Sequence, residues 1–388
     1  MAIISLVGSV QALFYLLLFQ SKPKKSLSDY LLILFTLLLG AIFFDQYLRN
    51  TNFYQLHPEY WGITYCFPII TAPLLYFYVV LITQPEQKFK SWFWLLTIPF
   101  FVFLTYYLAN YYFLPIDKKT AFFHLATTKP WAMIYAGEFF LVLSGPVYSV
   151  LGLFRLKRHI KNIEGNFSYT TGIDLIWLKT ILIAIIAVNV IGVLLNVLSD
   201  IYPLFTYQTS DNIMHSLNVL LIFFIGYYGF KQALIYPAGK AKPDQMQKEQ
   251  FAEIQLLGNS ETTPKYTKSG LQKNEVDIYY SSLIQLIDSE KLFLDSRLSI
   301  KTIADKLGMS VNHLSQVINQ QSGKNFFKFI NEYRVEEAKK LLLDQSNQKY
   351  TILAIAYDCG FNSKSSFNTI FKQYTGKTPS DFIENSKN

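Results

Sequence analysis

Ser299-Ile-Lys-Thr-Ile-Ala-Asp-Lys-Leu-Gly308 is the stretch whose reading decides the fold, because its pattern returns as Thr351-Ile-Leu-Ala-Ile-Ala-Tyr-Asp-Cys-Gly360. Ser299, Ile300, Ile303, Ala304 and Gly308 each find their counterpart 52 positions later. In both copies a hydroxyl residue stands where a helix N-cap would be, apolar residues follow at i, i+3 and i+4, and glycine marks the stop. Past the glycine the offset becomes 53. Ser310, Leu314, Val317, Ile318 and Gly323 recur as Ser363, Phe367, Ile370, Phe371 and Gly376. Each copy therefore predicts a short capped helix, a tight turn and a second capped helix packed back on the first, over about 299–322 and 351–374: a helix-turn-helix. Between the copies, Phe326, Phe329, Ile330, Tyr333, Ala338, Leu341 and Leu342 mark one face of a helix over about Asn325–Leu343. At 1.5 Å per residue that spacer spans roughly 28 Å. Two second helices carried on it could enter successive major grooves of one duplex, about 34 Å apart.

If Leu314, Val317 and Ile318 are buried, the opposite stripe of the first copy is Asn312, Ser315, Gln316 and Asn319. The second copy gives Ser365, Asn368, Thr369 and Lys372. Asn and Gln can pair with adenine in the major groove, and Ser, Thr and Lys can contact bases or phosphates. Lys324, Lys364 and Lys377 flank the two stripes and are the candidate phosphate contacts. From Val276 onward there are 14 Lys/Arg and 12 Asp/Glu. A balance this close to neutral predicts modest affinity for one copy, which a homodimer or crowding at a membrane would raise.

The residues Leu298-Ser-Ile-Lys-Thr-Ile-Ala304, Gly308-Met-Ser310, Tyr333-Arg334, Ala338, Leu341, Ile355-Ala356, Gly360-Phe361, Phe367, Phe371-Lys372, Gly376 and Thr378-Pro379 carry a family resemblance. Over about Asp277–Ile383 the chain resembles the DNA-binding domain of the AraC/XylS family of bacterial transcription regulators. The resemblance implies sequence-specific binding at promoters, and the eight stripe residues fall at the family's base-contacting positions. Arg334 matches the family inside the spacer helix, where a structural role is expected. Cys359 takes the small, apolar position before Gly360 and is expected in the core.

Outward from this repeat the composition changes. The first 235 of the 388 residues hold 25 charged side chains, the last 153 hold 37, and 51% of the chain is hydrophobic. A disordered or disulfide-rich secreted chain is excluded, and the two cysteines, Cys66 and Cys359, fall one in each part. Apolar stretches near 2–19, 30–47, 61–83, 92–109, 131–154, 175–198 and 213–230 are each of a length to cross about 30 Å of hydrocarbon. The expected architecture is all-α: a seven-helix transmembrane bundle over 1–235, a polar linker over 236–274, and an AraC-type double helix-turn-helix domain over 275–388. No basic run precedes the first stretch, so it reads as a span and not as a cleaved leader. With the N-terminus outside, nine basic residues (Lys22, Lys24, Lys25, Lys88, Lys90, Arg155, Lys157, Arg158, Lys161) fall in inner loops and four (Arg49, Lys118, Lys119, Lys129) in outer ones. That asymmetry places the C-terminal domain in the cytoplasm, beneath a bacterial inner membrane.

No metal-ligand cluster, phosphate-binding glycine loop or nucleophile elbow is present, so the sequence supports no catalytic residue, no cofactor and no enzymatic role. The polar residues expected deep in the outer half of the bundle are Glu138, Asn196, His215 and Asn218. A carboxylate about 10 Å into a span is costly against lipid, so Glu138 should face the interior or be protonated. Together the four are the candidate pocket for a small-molecule or membrane signal. The reading that results is a membrane-embedded regulator that binds double-stranded DNA. Its rivals are a transporter or membrane enzyme with a regulatory tail, and a scaffold whose tail binds protein.

Overall fold

A computed structural model describes residues 2–22, 25–83, 91–121, 132–202, 207–235, 273–347 and 349–386. The expected linker lies almost wholly outside these. Among the described residues the regular secondary structure is helical, apart from an isolated antiparallel bridge between Phe167 and Ser299. The chain divides into two compact units, residues 1–156 with 175–248, and residues 157–174 with 249–388.

The first unit contains α1 (Ala2–Gln20), α2 (Leu27–Asn50), the short α3 (Phe53–Leu56), α4 (Phe67–Thr83), α5 (Ile98–Tyr107), the part of α6 (Ala132–Asn166) up to Leu156, α7 (Ile176–Ile201) and α8 (Tyr207–Ile235). Helix α1 packs on α2 and α8, α2 on α4, and α7 on α8. Their shared core includes Tyr15, Phe19, Phe35, Leu75, Val79, Leu182 and Ile225. A Cβ at Gly226 would lie 2.0 Å from the Tyr15 ring, so the crossing of α1 and α8 depends on glycine, as close helix crossings in membranes often do.

Among the described residues four helical stretches are long and apolar enough to cross a membrane: Ala2–Gln20, Leu27–Asn50, Phe93–Tyr112 and Ile176–Ser199. Phe67–Thr83 and Asn212–Tyr228 are apolar but shorter. At 17 residues α4 reaches about 26 Å. The stretch expected at 92–109 is a composite, with a 3-10 segment over Ser91–Thr97, then α5, then a π-helical turn over Leu108–Tyr112. Pro99 sits in the first turn of α5, where its missing N–H leaves no hydrogen bond unmade.

The second unit contains α9 (Lys273–Glu290), α10 (Ile300–Lys306), α11 (Val311–Ser322), α12 (Phe326–Leu343), α13 (Ile352–Asp358), α14 (Lys364–Thr375) and α15 (Pro379–Ser386). Two cores meet along α12. Phe326, Phe329 and Ile330 join Ile303, Leu314 and Ile318 of the first motif. Val335, Ala338 and Leu342 join Ile355, Phe367 and Phe371 of the second. The stretch 157–174, which composition alone groups with the apolar half, packs in this unit.

Candidate nucleic-acid interface

The two motifs repeat in detail. Ser299 Oγ accepts from Thr302 N–H at 3.2 Å, and Thr351 Oγ1 from Ala354 N–H at 3.1 Å. Ser310 and Ser363 cap α11 and α14 in the same way, at 3.2 and 3.1 Å. Each cap satisfies a donor that the first helical turn would leave bare. The turns close alike, with Met309 N–H on Ala304 O and Phe361 N–H on Ala356 O, both at 3.0 Å. Gly308 and Gly360 hold φ of +64° and +84°, and Gly323 and Gly376, which end the second helices, hold +67° and +75°. These are left-handed conformations that glycine adopts without strain.

With the helices so placed, Asn312 and Asn319 on α11 are exposed and Ser315 is half-buried. Asn319 Nδ2 donates to Ser315 O at 2.7 Å. Gln316 departs from the expectation: it is only 4% exposed. The single-helix periodicity puts it on the outer stripe, where the structure buries it. On α14, Ser365, Thr369 and Lys372 are exposed and Asn368 is half-buried. Lys364 and Lys377 are exposed, while Lys324 is half-buried in an ion pair with Glu332, so its charge is already partly answered. The helix α12 that carries both motifs spans about 27 Å from its 18 residues.

Arg334 lies where the two cores meet and is 1% exposed. Its Nε donates to Phe293 O and one terminal nitrogen to Asp295 O, both at 2.7 Å, ahead of the first motif. Its guanidinium carbon is 6.0 Å from the ring centre of Phe361, in the turn of the second. Burial pushes its pKa down to about 10, with the nearby Asp295 charge opposing, so the group remains cationic at neutral pH. The structural role expected for Arg334 is thus that of a rivet between the motifs. Cys359 is fully buried in the second core.

In the first unit a cavity of about 270 Å³ opens among α2, α4, α6, α7 and α8. Apolar side chains line most of it, with Thr71, Ser144, Ser149, Asn189, His215 and Asn218 among the polar groups. Gly145 permits the approach of Asn189, whose Nδ2 lies 2.7 Å from where a Cβ would stand. Of the four candidate pocket residues, His215 and Asn218 face this cavity. Asn196 is exposed and lies away from it, a correction to the grouping made from depth alone, because rotation about the helix axis separates residues of similar depth. The side chain of Glu138 lies outside the described residues. Sequence reasoning missed Asn189 and Ser144, whose polar groups gave no pattern of their own. It also missed Ser168 in the 157–174 stretch, where only the preceding basic run was a signal.

Residues 303–385 match the family described as a helix-turn-helix domain. An uncharacterized HTH-type transcriptional regulator of Staphylococcus aureus (strain COL) is 35% identical over 134 residues, 34% of this chain and 17% of that protein. Another, encoded in the cgkA 5' region of Pseudoalteromonas carrageenovora, is 35% identical over 85 residues, 22% of this chain and 48% of that protein. The chain thus spans less than half the length of these curated relatives. A solved Listeria innocua protein of unknown function is 27% identical, with a TM-score of 0.24, over 27% of this chain and 94% of that one. The C-terminal domain is an AraC-type helix-turn-helix domain of the kind found in transcriptional regulators, fused to a helical half with long apolar helices.

Proposed function

We propose that the protein is a membrane-anchored one-component transcription regulator, in which a seven-span domain detects an extracytoplasmic or membrane signal and the C-terminal unit binds promoter DNA. The observation that carries this reading is the duplicated, capped second helix with exposed polar side chains, Asn312 and Asn319 on α11 and Ser365, Thr369 and Lys372 on α14. Side-chain amides and hydroxyls held rigidly on a helix are what major-groove recognition uses. A second copy of the chain would add the phosphate contacts that a nearly neutral domain lacks.

Orientation with the N-terminus outside the inner membrane is supported by the nine inner basic residues against four. It is supported also by the packing of residues 157–174 with the C-terminal unit, since segments that share a core share a compartment. Sensing is supported by the cavity of about 270 Å³, near the lower end of small-molecule pockets, which run from about 300 Å³ upward. His215 and Asn218, with Glu138 from its depth in the sequence, are the groups proposed to meet a small signal molecule there.

The test is selection of duplexes from a random library by the full-length chain in lipid nanodiscs. One enriched sequence is expected. Asn312→Ala should relax preference at one or two base pairs, at a cost of about 1–3 kcal/mol, whereas Lys364→Ala or Lys377→Ala, at exposed lysines, should weaken all sequences alike and flatten the salt dependence. Equal loss on selected and random DNA for Asn312→Ala would remove the recognition face. With the selected sequence driving a reporter in cells, His215→Ala and Glu138→Gln should lock the response at normal protein abundance. A normal response in both removes the pocket.

A further inference from the structure

Residues 157–174 connect α6 to α7 along the chain, yet they are built into the C-terminal unit. Ile163, Phe167 and Ile173 form a small core of their own, with Tyr169 against it. Beside it, Ser168 is buried with its polar atoms engaged. Its N–H donates to Leu298 O at 3.1 Å and its hydroxyl to the same carbonyl at 2.9 Å. Its carbonyl accepts from Arg334 Nη1 at 2.8 Å and from Asn331 Nδ2 at 3.0 Å, and its Oγ accepts from Arg334 Nη2 at 2.8 Å. Phe167 bridges Ser299, the N-cap of α10, and Asn325, the N-cap of α12, donates to Glu164 Oε2 at 3.1 Å.

These contacts have the form of peptide recognition by main-chain pairing with one polar fork, the peptide being held in shape by its own small apolar core. They also answer a specific need. Without Ser168, the buried guanidinium of Arg334 would lose two of its acceptors, and an unmet donor on a buried charge is costly. Arg334 is the side chain that touches the segment ahead of the first motif and the turn of the second. Whatever holds Arg334 therefore bears on how the two motifs are arranged.

We infer that Glu164–Tyr169 is a docking peptide and that Leu298, Ser299, Asn325, Asn331 and Arg334 form its receptor, a peptide-binding site on the helix-turn-helix domain whose occupant is the loop between α6 and α7 of the same chain. The chain then reaches its C-terminal domain by two routes, the polar stretch 236–272 and this seat. Displacement of the facing ends of α6 and α7 is delivered to Ser299 and Arg334 without passing through the polar stretch. The seat itself is independent of the reading of the domain as a DNA binder; only its regulatory consequence rests on that reading.

The experiment uses the full chain in inside-out membrane vesicles, with a site for a specific protease inserted near residue 255. After cutting, the C-terminal fragment should stay with the vesicles. Phe167→Asp combined with Ser168→Pro, which breaks the loop's own apolar core and removes the Ser168 N–H and hydroxyl, should put at least tenfold more of it in the supernatant. Because loop changes could disturb the neighbouring helices, a second variant leaves the loop backbone intact. Phe167→Cys with Ser299→Cys pairs positions whose Cα atoms, bridged across an antiparallel pair, are about 4.5–5.5 Å apart and within disulfide reach. Oxidation should join the two fragments through denaturing electrophoresis, and reduction should part them. Release of the unmutated fragment, or failure of the cysteine pair to cross-link, overturns the seat. Duplex selection on the same preparation reads the regulator function separately: a docked fragment without duplex preference leaves the seat standing and removes that function, and a freely released fragment with duplex preference does the reverse.

Discussion

Burial sets the chemistry of single side chains in the C-terminal domain. The thiol of Cys359 is pushed from 9.0 up to about 12 by desolvation, and the phenols of Tyr333 and Tyr374 from 10.0 up to about 12 for the same reason. All three are acids whose neutral form the fold prefers. The stability they lend is therefore complete below about pH 9 and drains away as the pH climbs toward 12. Proteolysis of the full chain in a urea series at pH 8, 10 and 11 should show the midpoint for the C-terminal domain falling with pH; a constant midpoint would contradict this. At this scale the chain was partly legible. An apolar, last-turn position announced Cys359 as core, and the place of Arg334 inside the spacer helix announced a structural role for it. The burial of Gln316, which the periodicity of α11 places on the polar stripe, gave no such sign.

At the scale of elements, the equivalent glycines of the two motifs have different surroundings. A Cβ at Gly308 would meet nothing within 4 Å, whereas at Gly360 it would lie 2.6 Å from Phe293 O and 2.8 Å from Leu294 O. Gly308→Ala should thus cost only the left-handed backbone strain, about 1–2 kcal/mol. Gly360→Ala adds a clash with main chain that has no rotamer to yield, and should cost clearly more and loosen the contact between the motifs. Hydrogen exchange at α10 and α13 in the full chain measures both. Equal effects from the two substitutions would mean that the close approach at Gly360 is not maintained. The repeat made the two positions look alike because it records what each helix needs locally. The approach of Gly360 to Phe293 depends on residues 67 positions apart in the chain, so no pattern within either motif reports it.

For the whole molecule, the proposed topology rests on two features, the distribution of basic residues and the packing of 157–174 with the C-terminal unit, and both put the C-terminal domain on the inner side. A reporter active only outside the cytoplasm should work when fused near Asn52, Lys118 or Thr206 and fail near Lys24, Lys161 or Ala238. The fusion at Lys161 is the most telling, because that loop and the helix-turn-helix domain are built into one unit. Activity at Lys161 would separate the loop from the compartment in which DNA is found, and activity at Ala238 would place the domain itself on the wrong side.

By itself the sequence determined the helical character of both halves, the duplicated motifs with their caps and glycine stops, and the polar faces offered by α11 and α14. Each of these rests on interactions within about four residues along a helix, which periodicity records directly. The tertiary structure alone decided that Gln316 is covered, that His215 and Asn218 share a cavity with Asn189 while Asn196 does not, and that Ser168 supplies acceptors to Arg334, 166 positions away. Those outcomes depend on the rotation and depth at which whole helices pack, and hydrogen bonds between distant segments leave no period in the chain to read.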